Sequence, residues 1–241
     1  MLADIWVYLA ASPLLWLTVT LMVYLAGQWL FERSGGQIWF NPVALSIILL
    51  GSLLLLTGVP YATYFKGAQF IHFLLGPATV ALAIPLYLHW NRVRQLFLPV
   101  IVGLLVGSIT AILSAVGLAG LLGGSPRTLL SLVPKSVTTP VAMGVAEKIG
   151  GIPSLTAVIV ILTGVVGAVA APTLLKMLRI RDEAVQGFAI GVAAHGIGTA
   201  RALQISSMAG AFAGLAIGLN ALLTSLLAPV IVRLLRVSFN L

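Results

Sequence analysis

Long apolar runs constrain this chain more than any other feature, because several of them are long enough to cross a bilayer. A helix that spans the hydrocarbon core needs about 20 apolar residues. Only 7% of the residues are charged and 60% are hydrophobic, whereas a soluble domain carries roughly 25% charged residues. The apolar runs lie near 5–31, 43–60, 68–90, 97–122, 154–176, 184–204 and 206–233. We therefore predict an all-α polytopic membrane protein, with about seven or eight membrane helices or re-entrant segments in a single transmembrane domain over 1–241.

The content of cysteine and charged residues excludes several classes of function. The chain has no cysteine, which excludes a disulfide framework and thiolate–metal chemistry. Carboxylates are few, so we expect no bound metal and no cofactor. The sequence has no pattern of paired carboxylates, of a Ser/His/Asp set or of metal-ligand spacing, so nothing in it indicates an enzyme. The net charge of +8 comes from scattered basic residues, a pattern that sets membrane topology and does not form a nucleic-acid surface.

Those basic residues predict how the chain crosses the bilayer. The run at 5–31 is too long for a signal-peptide core and no Lys or Arg precedes it, so we expect it to remain as a helix. Cytoplasmic loops carry an excess of Lys and Arg. If the N-terminus is outside and 125–148 enters the membrane and returns, four basic clusters are cytoplasmic: Arg33, Arg92 with Arg94, Lys176 with Arg179 and Arg181, and Arg233 with Arg236. Lys66, Arg127 and Lys148 are exceptions. If 125–148 crosses instead, the 176–181 cluster lies outside, which the rule disfavours.

Weak internal similarity indicates two related halves. "NPVALSIILLGS" (41–52) resembles "IPSLTAVIVILTG" (152–164) at an offset of about 111, and "GLLVGSITAILS" (103–114) resembles "GLAIGLNALLTS" (214–225) at the same offset. Between them "GPATVAL" (76–82) aligns with "GIGTARA" (196–202). We predict pseudo-repeat halves over 1–122 and 123–241, inverted in the membrane as in many secondary transporters.

Three interruptions of the apolar runs predict half-helices that begin inside the membrane. They are "LLGPAT" with Pro77, "SVTTPVA" with Pro140, and "HGIGTAR" with Thr199 after Gly198. Proline at the first helical position and threonine at the cap are typical of helix starts. A half-helix N-terminus offers unpaired N–H groups and about half a positive charge. Three converging N-termini predict a site for an anion, most simply a carboxylate.

Polar residues near these interruptions are the candidate ligands. Lys135 and Arg201 would bind the carboxylate, because charges within a membrane are rare and usually functional. His195 and Glu147 are candidates for proton coupling. The remaining substrate candidates are Ser136, Thr138, Thr139, Gly196, Gly198, Thr199, Gly76, Pro77 and Thr79.

Structural roles compete with each of these assignments. A single membrane threonine more often bonds its own backbone than a ligand, and glycine often serves close packing. Lys135 could extend to an interface, and Glu147 beside Lys148 could be a boundary ion pair. Asn220 could pack or line a cavity.

Five motifs in the sequence resemble those of a known family. They are "LLGPATVALAIPLY" (74–87), "PKSVTTPVA" (134–142), "GGIPSLTA" (150–157), "AHGIGTARAL" (194–203) and "GAFAGLAIGLNALLTSLLAPVI" (210–231). Over nearly the whole chain these motifs resemble the LrgB/CidB family. That family includes the C-terminal half of the plastid glycolate/glycerate transporter, and some members are linked to movement of pyruvate or other small acids. Bacterial members are described as regulators of murein hydrolase export, often encoded beside a small holin-like partner of the LrgA/CidA type. Relatives often have Glu where this chain has Gln204, which leaves His195 as the better candidate for proton coupling.

Two functions follow from the residues and the resemblance together. The first is a secondary carrier for small monocarboxylates of the glycolate, glycerate, lactate or pyruvate type. It would be coupled to protons and work by elevator-like alternating access in a bacterial inner membrane, as a homodimer by analogy with elevator carriers. The alternative is a holin-like or antiholin membrane protein that regulates murein hydrolase export and cell lysis.

Overall fold

The computed structural model describes residues 11–35, 37 and 40–239, and in this part of the chain the secondary structure is helical throughout. The predicted all-α class is confirmed. Within these residues twelve α-helices follow in chain order: α1 Pro13–Arg33, α2 Pro42–Thr57, α3 Tyr61–Phe73, α4 Leu75–Ala81, α5 Ala83–Leu88, α6 Trp90–Gln95, α7 Phe97–Leu121, α8 Pro126–Leu132, α9 Thr139–Ile149, α10 Pro153–Met177, α11 Glu183–Ile205 and α12 Ser207–Phe239.

Five helical stretches among the described residues are long and apolar enough to cross a membrane. They are α1, the stretch Tyr61–Leu88 formed by α3 to α5, α7, α10, and Ser207–Leu234 of α12. The shorter α2 is also apolar. The protein is therefore a multi-pass membrane protein, as the apolar runs predict.

Local sequence signals set the helix ends. Asn41 caps α2, because its Oδ1 accepts hydrogen bonds of 3.1 Å from the N–H groups of Val43 and Ala44. Asp182 caps α11 in the same way through Ala184 and Val185. Burial acts to raise the pKa of the Asp182 carboxyl, but the N–H of Val185, the Arg92 guanidinium and the N–H of Ala184 hold it below its ordinary value.

The chain packs as two compact units, Met1–Val80 and Ala81–Leu241. In the first unit α1 packs against α2 and α3. Trp16 of α1 is fully buried, and its ring meets the Tyr64 ring edge-on at 5.8 Å between centroids. Gly67 of α3 lies against the backbone of Pro13 and Leu17, where a Cβ atom would collide. The close approach of α1 and α3 therefore requires glycine at this position.

In the second unit α7 and α12 run parallel, side by side. Near the start of both helices Val100 packs with Phe212, and further along Leu104 packs with Ala216. Near the far end of both, Val116 belongs to one cluster with Ala228. The predicted inverted halves would make these two helices equivalent and opposite in direction. For this pair the structure differs from that prediction, since both helices cross in the same direction.

The reason for the difference is α11, which folds back on itself at His195. There the backbone has φ 43° and ψ −136°, which no helix accommodates. Ser206 Oγ donates a 2.7 Å hydrogen bond to Glu183 Oε2, although 23 residues separate them; in a straight helix they would be about 34 Å apart. Ala202 packs against Ile190. Segment 183–205 is thus a hairpin with two antiparallel arms, 183–194 and 196–205.

The hairpin changes the predicted topology. Each arm is roughly 15–18 Å long, about half the hydrocarbon thickness. The apolar run at 184–204 therefore enters and leaves at the same end of the second unit, and the expectation that it crosses is wrong. Since it adds no crossing, α12 carries Arg233 and Arg236 to the end opposite the 176–181 cluster. The prediction that all four basic clusters share one side of the membrane is corrected accordingly.

The two ends of the second unit are defined by several contacts. At the Asp182 end, Arg92 forms an ion pair with Asp182, and His89 Nε2 lies 3.4 Å from Ser207 Oγ. At the opposite end, a hydrophobic cluster joins the last turns of α7, α9 and α12. Because α10 starts at this opposite end and finishes near Asp182, residues 122–152 begin and finish at one end. This agrees with the predicted return of 125–148.

Candidate functional site

Two segments that enter from opposite ends of the second unit meet between α7, α10 and α12. One is the α11 hairpin with His195 at its tip. The other is the α8–α9 segment, whose turn at 133–138 carries Lys135 and Ser136. Lys135 lines one cavity together with Ala193 and Ala194, which directly precede His195, and its Nζ donates a 3.2 Å hydrogen bond to Ser136 Oγ. Since each segment penetrates only part of the way, these polar residues lie at mid-depth.

Asn220 of α12 ties the two segments together. Its Nδ2 donates 3.1 Å hydrogen bonds to the carbonyl oxygens of Ser136 and Val192. Its Oδ1 accepts hydrogen bonds from Ser108 Oγ of α7 at 2.6 Å and Thr224 Oγ1 at 3.3 Å. Asn220 is 1% exposed. All four hydrogen-bonding positions of the buried amide are therefore used, which fixes the two tips relative to α7 and α12.

The His195 ring rests on α10 because that helix has a glycine facing it. His195 Nε2 is 2.9 Å from the carbonyl oxygen of Val160. A carbonyl only accepts, so Nε2 carries a hydrogen. A Cβ atom on Gly164 would lie 2.7 Å from His195 Cε1 and 2.9 Å from Nε2. The ring is 4% exposed and fills the space that this glycine leaves.

The break in α11 occurs at His195 itself, which corrects the prediction that the half-helix begins at Thr199. Thr199 lies within the second arm, where its buried Oγ1 donates a 3.0 Å hydrogen bond to the carbonyl of His195. A Cβ atom on Gly198 would lie 2.6 Å from Ala194 Cβ, so Gly198 permits the tight turn. Gly196 is exposed, with no heavy atom within 4 Å of a built Cβ. The second arm therefore starts directly after His195 and not at Thr199.

The α9 helix begins beside the same part of α10. Thr138 is its N-cap, in extended conformation and without a side-chain capping bond, and Thr139 is its first residue. Both threonines are half-buried. Val137 and Ala142, on either side of them, pack against Val160, the residue whose carbonyl bonds His195. The N-termini of α9 and of the second hairpin arm thus approach one stretch of α10.

Two other predicted site residues lie elsewhere in the second unit. Arg201 is half-buried on the second arm, six residues beyond the tip, and its Nη1 donates a 2.8 Å hydrogen bond to Gln204 Oε1. Glu147 is exposed in the last turn of α9, at the opposite end.

The third predicted interruption belongs to the first unit. Gly76 and Pro77 lie in α4, which has seven residues and begins at Leu75. Pro77 is therefore the third residue of a short helix and not the start of a half-helix. The side chain of Thr79 lies outside the described part of the structure.

Several residues that build the site were not predicted. Asn220 was noted as polar, but no local pattern links it to Ser136 and Val192. Gly164 stands in an apolar run among other glycines, and Val160 and Ser108 look like ordinary packing residues. Their roles depend on helices that are distant in sequence, so no signal along the chain identifies them.

The sequence of the chain is similar to those of several known proteins. The model of the LrgB-like family matches residues 20–234. Two uncharacterised proteins of Bacillus subtilis (strain 168) are similar: YwbG is 39% identical over 88% of this chain and 94% of its own length, and YxaC is 37% identical over 95% of this chain and 99% of its own. The antiholin-like protein LrgB of the same organism is 29% identical over 93% of this chain and 97% of its own length. No solved structure matches the chain.

Proposed function

The chain belongs to the LrgB-like family of membrane proteins. From this membership and from the geometry of the α11 hairpin and the α8–α9 segment, we propose that it carries small monocarboxylates across a bacterial inner membrane. The observation that carries the proposal is the meeting of Lys135 with the N-termini of α9 and the second hairpin arm. A lysine gives a full positive charge, and each N-terminus adds unpaired N–H groups and a partial positive charge. Such a site suits one carboxylate.

The hydroxyl groups around Lys135 support an acid with a polar group next to the carboxylate. Ser136 Oγ is hydrogen-bonded to Lys135 Nζ, and the half-buried Thr138 and Thr139 start the adjacent helix. Hydroxy acids and keto acids of two or three carbons have an oxygen at that position. Glycolate, glycerate, lactate and pyruvate are therefore the substrates to test first.

His195 supplies the proposed coupling to protons. Protonating this ring places a second positive charge near Lys135, which Coulomb repulsion opposes. A bound carboxylate offsets that repulsion, so the acid and the proton favour each other's binding. Because the acid anion and the proton bind together, the net charge at mid-depth is the same in the loaded and the empty carrier, and both can reorient by alternating access.

Uptake into proteoliposomes tests the proposal. We expect saturable uptake of labelled glycolate, lactate or pyruvate, raised by an inward proton gradient. Lys135→Gln keeps the length of the side chain but removes its charge and should reduce uptake at least tenfold. Lys148→Gln removes an exposed lysine of α9 and is the matched control. Uptake of all acids at the rate of empty liposomes, with the protein folded, would refute the carrier.

A second candidate function comes from a relative's name. One similar protein is called antiholin-like, which favours a role in controlling murein hydrolase export and lysis, with a small holin-like membrane partner. A pore formed by oligomerisation passes unrelated solutes, whereas a carrier saturates and selects among acids. Leakage of neutral sugars or dyes that is indifferent to Lys135→Gln would favour this second function.

A further inference from the structure

A basic pocket lies at the Asp182 end, where α10 ends and α11 begins. It has a volume of about 540 Å³. Its polar lining is Lys176, Arg179, Arg181 and Gln186, and its apolar lining is Pro172, Leu175, Ile180 and Ile205. The turn that carries the three cations is tight: Ile180 N–H donates to the carbonyl of Leu175 at 3.0 Å, and Gln186 Nε2 donates to the carbonyl of Ile180 at 2.7 Å. Three like charges are therefore held together by the backbone at one pocket.

Asp182, which directly follows Arg181, pairs with another residue and not with these three cations. Asp182 caps α11 and forms an ion pair with Arg92. Lys176, Arg179 and Arg181 are all exposed. The pocket consequently presents an excess of positive charge at the end of a membrane helix, where lipid headgroups lie.

An apolar groove adjoins the basic pocket. It has a volume of about 700 Å³ and runs between α10 and the hairpin of α11. One face of α10 and the first arm of α11 form most of its wall, for example through Leu162, Ala170 and Ala189, and Leu132 and Lys135 of the α8–α9 segment also line it. Leu175 and Ile180 line both the groove and the basic pocket, so the two cavities adjoin at these residues.

We propose that the basic pocket and the apolar groove together bind an anionic phospholipid. The phosphate lies among Lys176, Arg179 and Arg181, and one acyl chain occupies the groove between α10 and α11. A free inorganic anion would contact the cations but leave the groove empty. A neutral lipid would fill the groove but have no charge to pair with the cations. Basic pockets between membrane helices suit anionic headgroups, which are enriched in the cytoplasmic leaflet. Because Lys135 also lines the groove, the acyl chain approaches the proposed substrate site, but lipid binding itself does not rest on the carrier function.

Arg179 offers a variant that separates lipid binding from folding. Its φ is 56°, a left-handed conformation that glycine adopts without strain. Arg179→Gly should therefore leave the fold at least as stable while it removes one cation. We expect affinity for phosphatidylglycerol to fall about fivefold, as one basic residue near an anionic headgroup contributes. Arg94→Gln removes an exposed arginine that lines neither cavity and should leave affinity unchanged.

A second variant tests the groove. Ala170→Phe fills it, whereas Val158→Phe changes an exposed position of α10 outside it. The measurement is lipid binding by native mass spectrometry of the full chain in neutral detergent, with dioleoyl phosphatidylglycerol, dioleoyl phosphatidylcholine and inorganic phosphate as probes. We expect at least tenfold preference for phosphatidylglycerol, weakened by Ala170→Phe and not by Val158→Phe. Equal binding of phosphatidylcholine, displacement by inorganic phosphate, or indifference to Ala170→Phe would each overturn the proposal.

Discussion

At the residue scale, the site depends on an unfavourable backbone conformation at His195 and on the contacts that hold it. A residue other than glycine at φ 43° costs on the order of 1–3 kcal/mol. The hydrogen bond from His195 Nε2 to Val160 and the bond from Thr199 Oγ1 to the His195 carbonyl offset part of that cost. Gly164 makes the first of these bonds possible, because it leaves room for the ring.

Gly164→Ala should therefore be destabilising. Its Cβ would lie 2.7 Å from His195 Cε1 and 2.9 Å from Ile197 Cδ1, so the ring must leave Val160. Overpacking of this kind costs about 1–3 kcal/mol. Thermal unfolding of the purified protein measures the loss. Gly117→Ala in α7, with no atom within 4 Å of a built Cβ, is the matched control and should be neutral or stabilising. Equal effects of the two variants would contradict this account of His195.

The residues of the site were predictable from sequence only where a polar group interrupts an apolar run. His195 and Lys135 were identified in that way, as was the start of α9 near Thr138. Thr199 was assigned as a helix start because the capping rule is local, whereas the break is stabilised by α10. Such a rule does not identify Gly164, because the role of this glycine depends on the packing of α10 against the hairpin.

At the element scale, the hairpin of α11 is the feature on which the arrangement depends. Its arms pack closely: Gly198 approaches Ala194 and Ile190, and Ala202 joins Ile190 in a buried cluster. The mainly apolar segment 184–204 has 21 residues, which is long enough for a crossing helix. Length and hydropathy cannot distinguish a crossing helix from a hairpin of half that depth, so both predict a crossing for this segment.

A pair of introduced cysteines tests the hairpin. The chain has no cysteine of its own, so labelling is specific. Spin labels at Glu183→Cys and Ser206→Cys should be within about 20 Å, since the native side chains are hydrogen-bonded. A straight helix would place those residues about 34 Å apart. Leu98→Cys with Leu121→Cys has the same separation of 23 residues within the continuous helix α7 and should give the long distance. A long distance for the first pair would show that 183–205 crosses the membrane.

At the scale of the whole molecule, the direction of each crossing helix of the second unit decides which loops share a side of the membrane. Two segments return to the end they came from, so α10 and α12 cross in opposite directions. The Asp182 end carries Arg92, Arg94, Lys176, Arg179 and Arg181. The positive-inside rule therefore predicts that this end is cytoplasmic and that Arg233 lies on the other side.

Labelling from one side of the membrane checks this arrangement. Lys176, Ser207 and Arg233 are exposed and can each be replaced by cysteine. We expect a membrane-impermeant maleimide to label Arg233→Cys in intact spheroplasts. Lys176→Cys and Ser207→Cys should react only after permeabilisation. If Ser207→Cys and Arg233→Cys react from the same side, α12 does not cross, and the parallel arrangement with α7 fails.

If the hairpin tip forms part of a carboxylate site, a small acid should protect it from chemical labelling. Gly196 is exposed beside His195 and accepts a side chain without collision, so Gly196→Cys reports on the site. We predict that glycolate, lactate or pyruvate slows maleimide labelling of Gly196→Cys saturably. Labelling at Gly218→Cys, an equally open position of α12, should not change. Labelling of Gly196→Cys that is unaffected by every acid would contradict a carboxylate site at this broken helix.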